Sequence, residues 1–317
     1  MGWGRLALAL VVTAGTAGAA SAAKPERRHA RATRASFEAG TPARPPEHRR
    51  RKRDVLGRAR RVTGRERPYH VAFTFDDGPS HETTPAVLAA LARFGVPAAF
   101  FVVGRRISGD KPEAIANAAV LDDIRAAGHL IGNHTLRHGD LSLMTAAEAS
   151  AAVAADQQAI LRHTGERPAL FRAPYGRVGA AAPYLRRHGM TVVGWSIDPR
   201  DFVEPKAASL PSRILAAIVR HKGGVVLLHD THAWTAHELP AILGQLEAEN
   251  CRRRADGERL IVPVSLHYFL RERAGQRRPV PPAVAARTVR YVKGLAKRCR
   301  RGARAVRARV DKGASPH

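Results

Sequence analysis

Between residues 68 and 270 the apolar positions alternate between two rhythms. Val71-Ala72-Phe73-Thr74-Phe75 is a compact β-type run. Thr84 and Pro85 then open a helical spacing through Val87, Leu88, Leu91 and Phe94, which Gly95 stops. Ala98 to Val103 reads as a buried strand ending at Gly104, and Ile115 to Ala127 as a helix closed by Gly128. The alternation continues with strand-like Leu130-Ile131-Gly132 and an Ala-rich helix from Ala146 to His163 closed by Gly165. Leu170-Phe171 is a short strand, 180–188 a helix closed by Gly189, and Thr191 to Trp195 a strand. Leu210 to His221 is helical, Val225 to Leu228 extended, Leu239 to Glu249 helical, and Leu260 to Val264 ends the series. Strands alternating with helices predict a parallel sheet, open or closed as a barrel.

Charge divides the 317 residues differently. The formal net charge is +26, yet residues 68–270 carry only +1; residues 23–67 carry +11 and 271–317 carry +13. The globular candidate is therefore nearly neutral, which argues against a nucleic-acid-binding fold, and no nucleic-acid partner is expected. Residues 23–67, rich in Arg, Pro, Ala and Gly, read as a disordered basic linker holding the run Arg49 to Arg53. Residues 271–317 form a basic tail, and Val284, Val289, Val292 and Leu295 recur there at near-helical spacing. A basic surface-binding helix and a helix docked on the domain both fit that spacing. The flanks suit adhesion to anionic envelope polymers.

Arg5, the apolar run Leu6 to Ala20 and Ala20-Ser21-Ala22 match a secretory leader over residues 1–22, cleaved after Ala22. The run is short for a membrane span of about 20 residues, so the mature chain is expected to lack one. It is expected outside the cytoplasm, periplasmic or extracellular, and associated with the envelope. Cys251 and Cys299 would meet an oxidising compartment. A bridge between them would contribute about 4 kcal/mol on the chain-entropy model; two unpaired thiols are the alternative.

Polar chemistry gathers just after the strands, where parallel α/β folds place their sites. Asp76-Asp77-Gly78 follows the first run, and adjacent carboxylates at a strand end point apart and can take separate roles. Asn133-His134-Thr135-Leu136-Arg137-His138 places two imidazoles at i and i+4, which would share one face of a helical turn and grip one ion. With Asp77 they make a two-His, one-carboxylate set. Arg172-Ala173-Pro174-Tyr175-Gly176, then Asp198-Pro199-Arg200-Asp201-Phe202, then Leu227-Leu228-His229-Asp230 complete the series.

In this order the five segments resemble the polysaccharide deacetylase family, the NodB-homology domain of carbohydrate esterase family 4. The resemblance covers about two thirds of the chain, residues 68–270. It implies a single distorted (β/α) barrel between disordered basic flanks. It also implies metal-dependent removal of acetyl groups from an N-acetylglucosamine-containing polysaccharide. Asp77, His134 and His138 would hold a divalent metal, zinc first, with cobalt or another ion as alternatives. Asp76 would be the general base, held and tuned by Arg172, and His229 the general acid. Tyr175 would offer its backbone N–H to the oxyanion. An Asp of the fourth motif would orient His229; Asp201 is favoured, though the sequence does not separate it from Asp198. The position after Asp201 is usually Trp in the family and is Phe202 here, which puts substrate preference in doubt more than the chemistry.

Rival readings explain less. A non-heme iron oxygenase also uses two His and a carboxylate, but leaves Asp76, Arg172 and His229 without work. A non-catalytic envelope- or carbohydrate-binding protein would not need an intact base and acid. Peptidoglycan, chitin-like oligomers and exopolysaccharide share the same acetamide. Export and cationic flanks favour peptidoglycan weakly.

Overall fold

The computed structural model describes residues 61–203, 209–270 and 279–313, with side chains to residue 300. The expected leader, its cleavage point, the Arg49–Arg53 run and most of the basic linker lie outside these residues. Eight strands, β1 (Arg61–Val62), β2 (His70–Asp76), β3 (Ala98–Val102), β4 (Leu130–Asn133), β5 (Leu170–Phe171), β6 (Thr191–Val193), β7 (Gly223–His229) and β8 (Val262–Pro263), form one sheet. Its order is β1-β6-β5-β4-β3-β2-β7, with β8 against the start of β2. Every pairing is parallel. Six helices, α1 (Thr84–Phe94), α2 (Pro112–Ala126), α3 (Ala146–Thr164), α4 (Ala182–Arg187), α5 (Leu210–His221) and α6 (Ala233–Ala255), alternate with the strands, and α7 (Pro282–Gly313) follows β8.

The expected distorted barrel is present, and no continuous ladder closes it. Beyond β6 the chain leaves the sheet at Gly194. Ser196 and Ile197 then donate their N–H groups to the Val225 carbonyl of β7, and Leu227 donates back to Ile197. This single bridge, Ile197 to Val226, stands where a strand would close the circle. Gly64 permits the approach: its φ is +84°, and a Cβ there would lie 2.6 Å from Ser196 Oγ.

Both faces of the long strands are buried, as parallel sheets require. Phe73, Phe75, Phe100 and Phe101 have essentially no exposed surface, and Phe75 stacks on Phe100. Helix ends follow local chemistry. Gly95 closes α1 in the left-handed region. Thr145 and Glu148 cap α3 reciprocally, each side chain accepting from the other's backbone N–H. Helix α6 begins six residues before its expected start and runs through Pro240. The buried Leu239, Ile242, Leu243 and Leu246 hold it across the hydrogen bond that proline removes.

Both flanks differ from expectation. The ordered chain starts before residue 68, because Arg61 and Val62 pair with Val192 and Val193 of β6. Two residues are too few to show a period in sequence. The C-terminal flank was expected to be a basic tail helical in part; from Pro282 to Gly313 it is one helix. Tyr291 and Leu295 bury their side chains, Arg298 Nε donates to Glu247 Oε2 at 2.7 Å, and Arg287 Nη1 donates to the Ala127 carbonyl at 3.2 Å. Cys251 of α6 and Cys299 of α7 are bridged, with Cα atoms 5.4 Å apart. The apolar spacing thus found a docking partner, and the disulfide holds it there.

Opening that bridge by Cys299→Ser should lower stability by about 2–4 kcal/mol, measured by denaturant unfolding. Amide exchange should rise in α7 and stay slow in β2. Equal protection of α7 with and without the bridge would show that packing alone holds the helix.

Candidate active site

The site lies at the carboxyl ends of the strands. Strand β2 ends on Asp76, and the chain then turns sharply, with Asp77 in the left-handed region at φ 74°. The turn separates the two carboxylates. Asp77 Oδ1 lies 3.4 Å from His134 Nε2 and 3.2 Å from His138 Nε2. One ligand atom from each of the three residues falls within 4.8 Å of the others.

The histidine pair is not on a helical turn, contrary to the i, i+4 expectation. Residues 134–138 form a loop with Thr135 and His138 at φ 67° and 57°. Local side-chain bonds make it so. Asn133 Oδ1 accepts from the Thr135 N–H, and Thr135 Oγ1 accepts from the His138 N–H. Asp156 of α3, fully buried, accepts the His134 N–H at 2.9 Å. Gly104 leaves room for this carboxylate, since a Cβ there would collide with Asp156 Oδ1.

These residues fit a divalent cation. His134 Nδ1 lies 2.8 Å from the Arg172 carbonyl, which can only accept, so Nδ1 carries a proton and Nε2 is the atom left free to ligate. Asp77 Oδ1 is buried and receives no hydrogen bond. A positive centre, proton or metal, therefore belongs between it and the two Nε2 atoms. Ligands 2.0–2.1 Å from a tetrahedral ion stand about 3.3 Å apart, close to the two observed separations. Burial works to raise the Asp77 pKa, but His134, His138 and His229 outweigh it and hold the group below the ordinary carboxylate range.

Asp76, behind this set, keeps Oδ2 3.7 Å from His134 Nε2 and gives Oδ1 to Arg172 Nη1 at 2.6 Å. Arg172 has no exposed surface. Its Nη1 also donates to Thr74 Oγ1, Nε to the Val193 carbonyl and Nη2 to the Gly194 carbonyl, while Phe101 stacks 4.2 Å away. Burial lowers the Arg172 pKa and Asp76 draws it back up.

His229 closes β7 in register with Asp76. Its Nδ1 faces Asp201 Oδ1 at 2.7 Å, and Asp201 Oδ2 accepts the His229 N–H at 2.8 Å. Asp198 is exposed and bonds the Arg200 N–H instead. Burial alone would lower the His229 pKa. The Asp201 hydrogen bond and charge, with help from Asp76 and Asp77, raise it to about 9. Sequence reasoning missed the supports of Asp201: Thr235 Oγ1 donates to Oδ2 at 2.9 Å, and Trp234 Nε1 donates to its carbonyl at 2.6 Å. It also assigned no role to Asp156 or Asp230. Asp230 is buried under Thr84, whose hydroxyl donates to it, and burial pushes its pKa up to about 7.

Tyr175 stands at the rim in the left-handed region, φ 55°, its ring edge-on to His138 at 4.9 Å and 62% exposed. Phe202 approaches His229 edge-on and is 46% exposed. His232 stacks on Trp234 beside His229. His129 lies at the other end of β4, where its Nδ1 accepts the Ala98 N–H and burial lowers its pKa to about 4.

Residues 63–193 match the Polysaccharide deacetylase family. The chain is 32% identical over 179 residues to the peptidoglycan-N-acetylglucosamine deacetylase of Listeria monocytogenes, covering 56% of this chain and 36% of that protein. It thus spans about a third of that relative's length. It is 39% identical over 162 residues to the chitooligosaccharide deacetylase of a Bradyrhizobium strain, covering 50% of this chain and 70% of that protein. Among solved structures, the chitin deacetylase of Colletotrichum lindemuthianum superposes with a TM-score of 0.55 at 27% identity, covering 66% of this chain and 91% of that one.

The His229–Asp201 pair sets a pH dependence. A folded-state pKa raised to about 9 contributes stability that is fully present below the unfolded value near 6.5 and is lost as pH rises through about 9. Asp201→Asn should bring the imidazole titration down toward the ordinary range, read by NMR, whereas Asp198→Asn should leave it unchanged. The opposite pattern would reassign the partner.

Proposed function

Because this chain belongs to the polysaccharide deacetylase family, we propose that it hydrolyses the N-acetyl amide of an N-acetylglucosamine-containing polysaccharide, peptidoglycan ahead of chitin-like oligomers and exopolysaccharide. The observation that carries the reading is one mouth holding three separate devices. These are an Asp-His-His set whose ligand atoms converge on one point, a carboxylate fixed by a buried guanidinium, and an imidazole kept protonated at neutral pH by a buried carboxylate. A non-catalytic binding protein needs none of them.

Asp77, His134 and His138 would hold the cation, zinc in the first instance. When bound, such a cation lowers the pKa of a water and polarises the acetyl carbonyl. Asp76 takes the proton of the attacking water through Oδ2, the oxygen Arg172 leaves free. The water oxygen bonds to the acyl carbon, and the Tyr175 N–H, in the kinked loop beside His138, donates to the oxyanion, worth about 3 kcal/mol. The C–N bond then breaks. The sugar nitrogen is a poor leaving group as an anion, so His229 gives it the Nε2 proton while Asp201 holds the imidazolium that donates it. Acetate and a glucosamine unit leave. Phe202, lacking an indole N–H, offers a sugar ring a face without a donor.

Residues 1–22 support export to the periplasm or the exterior, and no helix among the described residues is long and apolar enough to cross a membrane.

Acetate release should be measured on peptidoglycan, chitin oligomers and an acetylated exopolysaccharide, with and without chelator. Chelation should abolish it, and zinc or cobalt should restore it. Full release by protein verified metal-free would overturn the reading.

The two adjacent carboxylates should separate cleanly. Asp76→Asn should keep its metal and lose about 10²–10⁴-fold in turnover. Asp77→Asn should lose metal affinity first, read by metal content after dialysis. An emptied Asp76→Asn beside a filled Asp77→Asn would reverse the two assignments.

A further inference from the structure

Helix α7 has two unlike faces. Tyr291 and Leu295 are buried, Arg298 is paired to Glu247, and Cys299 is bridged to α6; all lie on the docked side. The opposite side carries Arg290, Lys293, Lys297 and Arg300, all exposed. Their spacing of three, four and three residues keeps them in one line along the helix. The sequence continues the same alternation to Arg304 and Arg307, and Asp311 is the only acidic residue between Pro282 and Gly313. At 1.5 Å per residue the line from Arg290 to Arg300 runs about 15 Å, one cation every 5 Å or so.

A solvated helix ordinarily interleaves acids among its cations, because like charges three and four apart repel. From Arg290 to Arg300 every successive pair in the line repels, and no acid lies between Pro282 and Arg300 to relieve it. The helix is held by forces on its other side: the disulfide, the Glu247 pair and two buried side chains. Its outward charge is thus built rigidly into the fold and left for an external counter-charge.

We propose that this line is a docking surface for a linear phosphate-bearing polyanion. Its shape fits a polymer whose charges recur at intervals of several ångströms. A bilayer is a poorer occupant, because a helix lying in a membrane interface inserts an apolar face, and the apolar face of α7 is spent on the domain. Val289 is the only large hydrophobic exposed on α7 among the described side chains. The placement has a consequence for activity. Arg287 bonds the carbonyls of Ala127 and Gly128, which lead into the amino end of β4. The helix therefore lies at the end of the barrel opposite the catalytic mouth, and a docked enzyme keeps that mouth open and turned away from the polyanion. This holds whether or not the deacetylase reading does.

The test uses the full chain and a variant carrying R290Q, K293Q, K297Q and R300Q, which retains good helix formers at all four positions. Fluorescence anisotropy with labelled poly(glycerol phosphate) at about 50 mM salt should show the variant bound at least about tenfold more weakly, with a shallower salt dependence. The melting temperature and acetate release from a soluble oligomer should match the parent. Saturating polymer should not inhibit the parent on that oligomer. Variant binding within about twofold of the parent would overturn the proposal, showing that cations elsewhere carry any affinity. So would absence of binding by the parent, tighter binding to phosphatidylglycerol vesicles than to the polymer, or inhibition by the polymer.

Discussion

A cation with no exposed surface sits at the centre of this protein, and the candidate site is arranged around it. Arg172 would cost several kcal/mol to bury alone. Four of its donor contacts are met inside the barrel, by Asp76, Thr74, Val193 and Gly194, and Phe101 covers its plane. The same residue acts three ways. Its guanidinium fixes Asp76, its carbonyl accepts the His134 Nδ1 proton, and its N–H ties β5 to the Asn133 carbonyl. The orientations of proposed base and proposed ligand are therefore not independent, because both hang from one side chain and its own backbone. A buried pair of this kind is weak evidence for stability; its use here is geometric specificity.

The backbone around it is unusual in a consistent way. Asp77, Thr135, His138 and Tyr175 all adopt positive φ, and none is glycine. Such conformations cost of order 1–3 kcal/mol each and persist only where the surroundings over-determine them. The surroundings are visible. Asp156 and Asn133 fix the histidine loop, and Asp230 lies against the Gly78 turn so closely that a Cβ there could not fit. Two of these three supports are buried acids, each with an oxygen that no hydrogen bond reaches. Rigidity at the mouth thus depends on groups one layer below it.

The residues that face the mouth were legible in the sequence because function demands particular side chains at strand ends, and strand ends can be found from periodicity. Asp76, Asp77, His134, His138 and His229 are of this kind, and Arg172, buried below them, was carried by the same series of motifs. Other residues beneath them were not legible. Asp156 lies in an Ala-rich helix where a lone acid reads as a solvated position, and Thr235 follows a tryptophan that draws attention first. Their partners are 22 and 34 residues away, a relation no local pattern carries. The helical reading of His134 and His138 failed for a related reason. Spacing of four suits a helix, but Asn133 and Thr135 offer the backbone closer partners. The C-terminal helix was legible as a pattern, but the spacing alone did not separate a docked helix from a surface-binding one, because a row of cations looks solvent-bound until the buried Tyr291 and Leu295 and the disulfide are placed.

The gap in the barrel is part of how the site is assembled. Had β6 continued as a regular strand, its successor residues would have run along the sheet beside β7. Instead Gly194 releases the chain, Ser196 and Ile197 cross to Val225, and only one bridge is made. The freed segment can then rise over the end of β7, and four residues after Ile197 it presents Asp201 to both the ring and the backbone of His229. Asp198, nearer the crossing, is still committed to turning the chain. The incomplete closure therefore explains why the second aspartate of the motif, and not the first, reaches the imidazole: three more residues are the length needed to climb from the bridge at Val226 to the strand end at His229.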